Sequence, residues 1–104
     1  MRNVNEACGR LWSVVTSDYD KALTIMSSIA NERGIPVRYR HVGRLRTDIV
    51  FEDDVWLRWI RPSDNARGYR HGKLWCDINV KKEILDCVIL PKYFGKYEDI
   101  VWFQ

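Results

Sequence analysis

The sequence contains no apolar run that approaches the ~18 residues of a membrane-spanning helix, and its first twenty residues lack the apolar core of a signal peptide. We therefore expect a cytoplasmic protein that has no membrane partner. Cysteine is also scarce, since the three residues Cys8, Cys76 and Cys87 include no C-x-x-C pair. This odd count is not typical of a disulfide framework, and we interpret all three as small buried residues of a reduced protein.

Positive and negative charges are nearly balanced, with 17 Lys and Arg against 14 Asp and Glu and a net charge of +3. A small positive excess permits contact with nucleic acid but does not require it. The arginines are unevenly distributed, because many of them fall in the segments 33–46 and 58–70. These two segments are the candidate basic surface of the protein.

The alternation of apolar and polar residues predicts one α/β domain over residues 1–104, with a lead-in segment at 1–10. The elements after the lead-in are predicted to follow the order β-α-β-β-β-β-α-β. Strands are predicted at 11–16, 37–41, 48–51, 55–60, 73–78 and 100–103, and helices at 18–33 and 80–89. The first β-α-β unit favours parallel strands, and the acidic turn 52–54 favours an antiparallel hairpin at an edge. We therefore predict a small single domain with a mixed, mostly parallel sheet, an antiparallel hairpin and two helices.

The first helix has the clearest predicted boundaries. Ser17 is the predicted N-cap, and Asp18 and Asp20 fall in the first turn, where the helix dipole favours acidic side chains. Gly34 is the predicted end of this helix, and Pro91 is the predicted end of the second one.

The largest concentration of motifs lies between 65 and 77. The loop N-x-R-G-Y-R at 65–70 leads into the apolar strand Leu74-Trp75-Cys76, which ends on Asp77. Upstream of this loop lie a strand end and helix start at 16–22 (TSDYDKA) and a hairpin at 49–59 (IVFEDDVWLRW). From Leu11 to Pro91, this order of motifs resembles the middle of the ATPase domain of phage large terminases, which are P-loop nucleotidases.

The resemblance implies that Asp77 corresponds to the magnesium-facing aspartate of that family's Walker B strand. Two other parts of the family pattern are missing. No G-x-x-x-x-G-K-[ST] phosphate loop occurs in the chain, and Ile78 replaces the glutamate that orients the attacking water. Without phosphate binding and water activation we predict no ATP hydrolysis, no catalytic residues, no cofactor and no bound metal. Asp77 is then interpreted as a strand-end carboxylate held by backbone N–H groups of the helix near Val80.

Our leading hypothesis is a non-catalytic, phage-type binding protein with a degenerate terminase-like fold, acting in the cytoplasm of a bacterial host. Its expected partner is another protein, which makes it a host-defence inhibitor or a packaging adaptor. The candidate binding residues are Arg38, Arg40, Arg44, Arg46, Arg67, Tyr69 and Arg70. Gly68 is expected to make its loop tight and to splay the side chains of Arg67 and Arg70.

Three other interpretations stay open. The same arginines could track a nucleic-acid backbone, with Tyr39 stacked on a base. The domain could also bind a nucleotide by completing a site in trans. Alternatively, the arginines only pair with Asp64 and with the acidic turn 52–54, or are solvated. His41 and His71 have no discernible nucleophile or base partner in the sequence, so we predict no catalytic role for either.

The five tryptophans divide into two predicted groups. Trp12, Trp59 and Trp75 are expected in the core, whereas Trp56 and Trp102 are expected to be exposed at an interface. The terminal strand 100–103 is apolar, and we predict that it is an edge strand through which a homodimer could form.

Overall fold

The computed structural model describes residues 9–104, in which six strands form one sheet. The strands are β1 (Leu11–Val15), β2 (Val37–His41), β3 (Asp48–Phe51), β4 (Trp56–Ile60), β5 (Lys73–Asp77) and β6 (Val101–Phe103). Their order across the sheet is β2-β3-β4-β1-β5-β6. Most of the predicted lead-in segment, and with it Cys8, lies outside the described residues.

The sheet is mixed, as predicted. β1 pairs in parallel with β4 and β5, and β5 pairs in parallel with β6. β3 pairs antiparallel with both β2 and β4, so the predicted hairpin around 52–54 is confirmed. The hairpin does not lie at an edge, however, because β2 folds against β3 and takes that position. β2 still runs in the same direction as β1, but two strands separate them.

The first helix, α1 (Tyr19–Arg33), is capped by Asp18 and not by Ser17 as predicted. The Asp18 carboxylate accepts a hydrogen bond from the Lys21 N–H at 3.1 Å. A carboxylate at this position satisfies an otherwise unpaired donor and also faces the positive end of the helix dipole. The prediction was wrong by one residue because Ser and Asp are both good caps and stand next to each other in the chain.

Gly34 ends α1 in the left-handed conformation, with φ of 64°. A residue with a Cβ is strained by roughly 1–2 kcal/mol in this region. We therefore expect Gly34→Ala to lower the free energy of unfolding by about 1 kcal/mol, measured by urea denaturation. Gly68→Ala is the matched control, because Gly68 has no positive φ and an added Cβ would meet no atom within 4 Å. An equal loss in both variants would contradict this explanation.

The two faces of the sheet are covered differently. On one face α1 buries Ala22, Met26 and Ile29 against β1, β3 and β4. On the other face lies α2 (Lys82–Ile84), which continues as a π-helical turn (Leu85–Ile89) and a 3-10 turn (Leu90–Lys92). This helical segment begins later than predicted, and Pro91 lies within its last turn. Its Val88 and Ile89 pack in one cluster with residues of β1, β4 and β5.

No helix of the described residues covers the second face over β2 and β3, because no residue of these strands belongs to the α2 cluster. Alternate residues of a strand point to opposite faces, so the register places two cross-strand rows on this face. One row is Tyr39, Val50 and Trp56, and the other is His41, Asp48 and Arg58. This uncovered region forms the floor of the candidate site.

Three side chains depart from the core predictions. Cys76 is buried as predicted, and burial, with a smaller contribution from the Asp77 charge, raises its thiol pKa to about 12. Cys87 is exposed, because it lies on the solvent side of the π-helical turn, and its prediction as a buried residue was wrong. Trp59 is buried, whereas Trp12 and Trp75 are only partly buried at the edge of the α1 cluster.

Within residues 9–104, no helix combines the length and the apolar composition needed to cross a bilayer.

Candidate interaction surface

Two loops at the carboxyl edge of the sheet enclose a groove. Loop 42–47 joins β2 to β3, and loop 61–72 joins β4 to β5. Two adjoining cavities of about 220 and 280 Å³ lie between them, and both are lined by Leu45, Trp59, Ile60 and Tyr69. We call this feature the Leu45 groove. It opens beside the face of β3 and β4 that bears Asp48, Trp56 and Arg58, and these three residues also line it.

Loop 42–47 is held in place by its own hydrogen bonds. The buried Thr47 hydroxyl accepts from the Gly43 N–H and donates to the Gly43 carbonyl oxygen, at 3.2 and 2.9 Å. Arg61 donates to the carbonyl oxygen of Arg44 from the facing loop. These contacts fix a loop whose tip is Leu45, with 91% of its surface exposed. An ordered loop therefore presents a large apolar side chain to solvent.

Basic and aromatic side chains surround this leucine. Arg44 stacks on the Tyr19 ring at 4.7 Å, and the exposed Arg46 pairs with the buried carboxylate of Asp48. Tyr69, also exposed, forms the opposite wall of the groove. The groove thus combines an apolar tip, an aromatic wall and a basic rim, which are features that protein-binding surfaces concentrate.

A buried polar network lies beneath the groove. The Arg58 guanidinium donates to the Ser13 hydroxyl at 2.7 Å and to the carbonyl oxygen of Arg70. Ser13 lies 2.6 Å from Nδ1 of His71, and both residues are 0% exposed. Because arginine only donates, the Ser13 hydroxyl accepts from Arg58 and is free to donate to His71. The network therefore ties β1 and β4 to the loop that carries Tyr69.

The buried position of His71 keeps it neutral. Burial, with a smaller contribution from the Arg58 charge, lowers the pKa of His71 to about 3. Burial also lowers the pKa of Arg58 to about 10, so Arg58 stays charged at neutral pH. The sequence analysis found no partner for His71. The only hint of this network in the sequence is that Ser13 and Arg58 are polar residues within two apolar strands. The structure then pairs these two residues in the register.

Asp77 lies in a separate cleft of about 450 Å³ at the same edge of the sheet. Its carboxylate accepts from the Asn79 N–H at 2.9 Å, so a backbone donor holds it as predicted, but this donor lies in the turn before α2 and not in the helix. It also accepts from the Thr16 hydroxyl at 2.7 Å and lies 3.4 Å from the Lys21 ammonium, which the sequence analysis did not foresee. Burial alone would raise the pKa of Asp77, but the three donors outweigh burial and lower it. The carboxylate is therefore satisfied within the protein.

The seven candidate binding residues do not form one surface. Arg46 and Tyr69 line the Leu45 groove, whereas Arg44 lies in the same loop but directs its guanidinium onto the Tyr19 ring. Arg38 lies at the far end of β2 and pairs with Asp54, while Arg40 pairs in register with Ile49 and so faces the α1 side. The basic segment 38–46 is divided because a register shift in β2 and the strand pleat send its arginines in different directions.

The loop 65–70 is also divided. Arg67 turns toward Asp64 at 3.1 Å and toward the carbonyl oxygen of Cys87, away from the groove. Arg70 is exposed and takes part in the network only through its backbone. A 3-10 turn (Asp64–Gly68) shapes this segment without a left-handed residue, so the tight turn does not depend on the conformational freedom of Gly68.

The fold and the site define a small α/β domain with a mixed sheet and an ordered loop at its carboxyl edge that exposes an apolar tip, Leu45. Comparison of the chain with models of known protein families, with curated proteins and with solved structures found no match. The resemblance to terminase ATPases stays a prediction from the motifs. The geometry of the Leu45 groove is therefore the main support for a function.

Proposed function

We propose that this protein is a non-catalytic binding protein that docks a protein partner on the Leu45 groove. The observation that carries the proposal is the exposure of Leu45 at the tip of a loop that Thr47 and Arg61 hold in place. Full burial of a leucine side chain contributes about 1.5–3 kcal/mol, so a partner that covers Leu45 gains favourable free energy from its burial. A loop that is already ordered loses little conformational entropy on binding.

The surroundings of Leu45 indicate the chemistry of the partner. An apolar side chain of the partner would pack between Leu45 and Tyr69, and carboxylates would meet Arg46 and Arg61, which line the groove. Arginine pairs with carboxylates through two parallel hydrogen bonds, which adds specificity. Arg46 is exposed despite its contact with Asp48, so it retains donors for this role. The partner surface is therefore expected to be acidic with an apolar centre.

The arrangement of arginines favours a protein over a nucleic acid. Arg38 and Arg67 already face carboxylates of the protein itself. They are also spread over different sides of the domain, so they do not line a continuous phosphate track. An exposed leucine gains little from contact with a phosphate backbone, whereas it can be buried against apolar side chains of a protein partner. Direct binding of nucleic acid remains the alternative, and it would weaken steeply with salt because counterions are released on contact.

The environment of Asp77 supports a function without phosphoryl transfer. The Thr16 hydroxyl and the Lys21 ammonium bond to the Asp77 carboxylate, which corresponds to the group that a terminase ATPase would present to magnesium. A nucleotide site completed in trans would first have to break these contacts. If the resemblance reflects descent, the protein acts in a phage or prophage setting in the bacterial cytoplasm. Its partner is then a component of host defence or of the packaging machinery.

Capture experiments with two isosteric variants test the proposal. Leu45→Asn removes the apolar anchor, and we expect at least about a tenfold loss of a captured protein from nuclease-treated bacterial lysate, because about 1.4 kcal/mol corresponds to tenfold in affinity. Val37→Thr is the matched control, since Val37 is an exposed apolar residue at the far end of β2. Equal capture by both variants contradicts the proposal. Material that is captured only from lysate without nuclease, in an amount that decreases steeply as the salt concentration rises, would instead favour nucleic-acid binding.

A further inference from the structure

The two edges of the sheet differ in how they are protected against pairing with another strand. The β2 edge carries Arg38 and Arg40 and has a register shift between Val37 and Tyr39. Charged residues and irregular pairing are common devices that prevent edge-to-edge association. The other edge, β6, is uncharged and regularly paired, and its Val101 and Trp102 are 48% and 37% exposed. Among residues 9–104, no strand pairs with the outer side of β6, and this edge is open to pairing.

The backbone of β6 offers one complete pairing position. The Phe103 carbonyl oxygen accepts from the Ile78 N–H at 2.9 Å, so the backbone groups of Phe103 point toward β5. Successive residues of a strand direct their N–H and C=O groups to opposite sides. The N–H and C=O of Trp102 therefore point away from the sheet, toward the open edge.

We propose that two copies of this protein associate through antiparallel pairing of β6, with Trp102 opposite Trp102 of the second copy. In an antiparallel pair, two residues that face each other exchange both of their N–H···O hydrogen bonds. One residue that presents both a donor and an acceptor is therefore its own complement across a two-fold axis. The two six-stranded sheets would join into one continuous sheet.

The side chains in this register also complement each other. Val101 would lie opposite the second copy's Phe103 on the α1 face, and the two Trp102 side chains would meet on the other face. Aromatic and aromatic–aliphatic cross-strand pairs stabilise antiparallel strands. Tyr97 lies 6.1 Å from the Trp102 ring and would extend the aromatic contact. All of β6 is uncharged, so no residue of this strand places a charge opposite a like charge of the second copy.

The second copy is the occupant that this edge fits best. A β2 edge could not serve in the same way, because Arg38 and Arg40 would face the same arginines of the other copy. The Leu45 groove lies beside β3 and β4, on the opposite side of β1 from β6. Pairing through β6 therefore leaves both grooves open and presents two binding loops per dimer, which would increase the apparent affinity for a partner with repeated sites.

Sedimentation equilibrium over about a hundredfold range of protein concentration tests the association directly. We expect a reversible equilibrium between monomer and dimer, in which the average mass at the highest concentrations approaches that of two 12.4 kDa chains. Trp102→Lys places a charge opposite itself, and it should weaken the dimer at least tenfold. Val37→Lys, with the same charge on the other edge, should leave the dimer unchanged. A protein that stays monomeric over the whole range would overturn the proposal.

Cysteine crosslinking tests the register and does not depend on the behaviour of the lysine variant. Cys8 and Cys87 are first replaced by serine. Facing residues of a hydrogen-bonded antiparallel pair have Cα atoms about 5.5 Å apart, within reach of a disulfide. Trp102→Cys should therefore form a disulfide-linked dimer under mild oxidation. Val101→Cys should not, because its counterpart lies two residues out of register, about 8 Å away. Equal crosslinking at both positions, or none at 102, would contradict the proposed pairing.

Discussion

Replacement of Ser13 by alanine is expected to lower the free energy of unfolding by about 3 kcal/mol. The Ser13 hydroxyl accepts from the buried Arg58 and donates to the buried His71. Its removal leaves a desolvated guanidinium with one acceptor fewer and an imidazole nitrogen without a donor. Unsatisfied buried groups cost about 1–3 kcal/mol each, and more when they are charged. Urea denaturation at pH 7 measures the loss.

Two comparisons separate this effect from a general cost of removing serine. Ser28→Ala alters an exposed position of α1 and should change the free energy of unfolding by less than about 0.5 kcal/mol. Arg58→Met removes the charge that needs the hydroxyl, so Ser13→Ala should cost clearly less in that background. A loss below about 1 kcal/mol for Ser13→Ala alone would show that the network is not a stabilising element.

The second large effect is an early loss of stability in acid. The pKa of His71 is about 3 in the folded protein, against an ordinary value of 6.5. Between these values the unfolded chain binds a proton that the folded protein does not, so stability falls as the pH is lowered from 6.5. His71 alone should reduce the free energy of unfolding by about 2 kcal/mol between pH 7.5 and pH 5. This window lies above the range in which Asp53 and Asp77, whose pKa values are lowered, lose their contributions.

The variant His71→Asn isolates this contribution. The asparagine side-chain oxygen can take the place of Nδ1 and accept from Ser13, but it does not titrate. Urea denaturation at several pH values between 7.5 and 5 should therefore give a flatter pH dependence for the variant than for the wild type. Parallel pH dependences for the two proteins would mean that His71 is not the group responsible. The exposed His41 is present in both proteins and cancels in the comparison.

Elements with a strong local pattern could be predicted from the sequence. The prediction of α1 rested on the helical spacing of Ala22, Met26 and Ile29 and on the glycine at 34. The prediction of the hairpin rested on the acidic turn 52–54. The sheet order was harder to predict. Only the long-range packing of the apolar β4 shows that it, and not β2, pairs with β1.

The candidate site was only partly predictable, because it depends on contacts between distant parts of the chain. Arg44, Arg46 and Tyr69 were selected for their residue types, and the structure brings Arg46 and Tyr69 to one groove, while Arg44 stacks on Tyr19. Leu45, the residue that defines the groove, was overlooked because an apolar residue between two arginines has no signature of its own. The bonds from Thr16 and Lys21 to Asp77 join residues 61 and 56 positions apart, so no local pattern reveals them.

Site-specific photo-crosslinking from position 45 tests the central claim, that the Leu45 groove binds a protein partner. A photoreactive amino acid replaces Leu45, and in a matched protein it replaces the exposed Lys82 on α2. After irradiation in nuclease-treated bacterial lysate, we predict a discrete crosslinked protein from position 45 that is absent from position 82. The same crosslinked products from both positions, or no protein crosslinked from position 45, would contradict the proposed role of the groove.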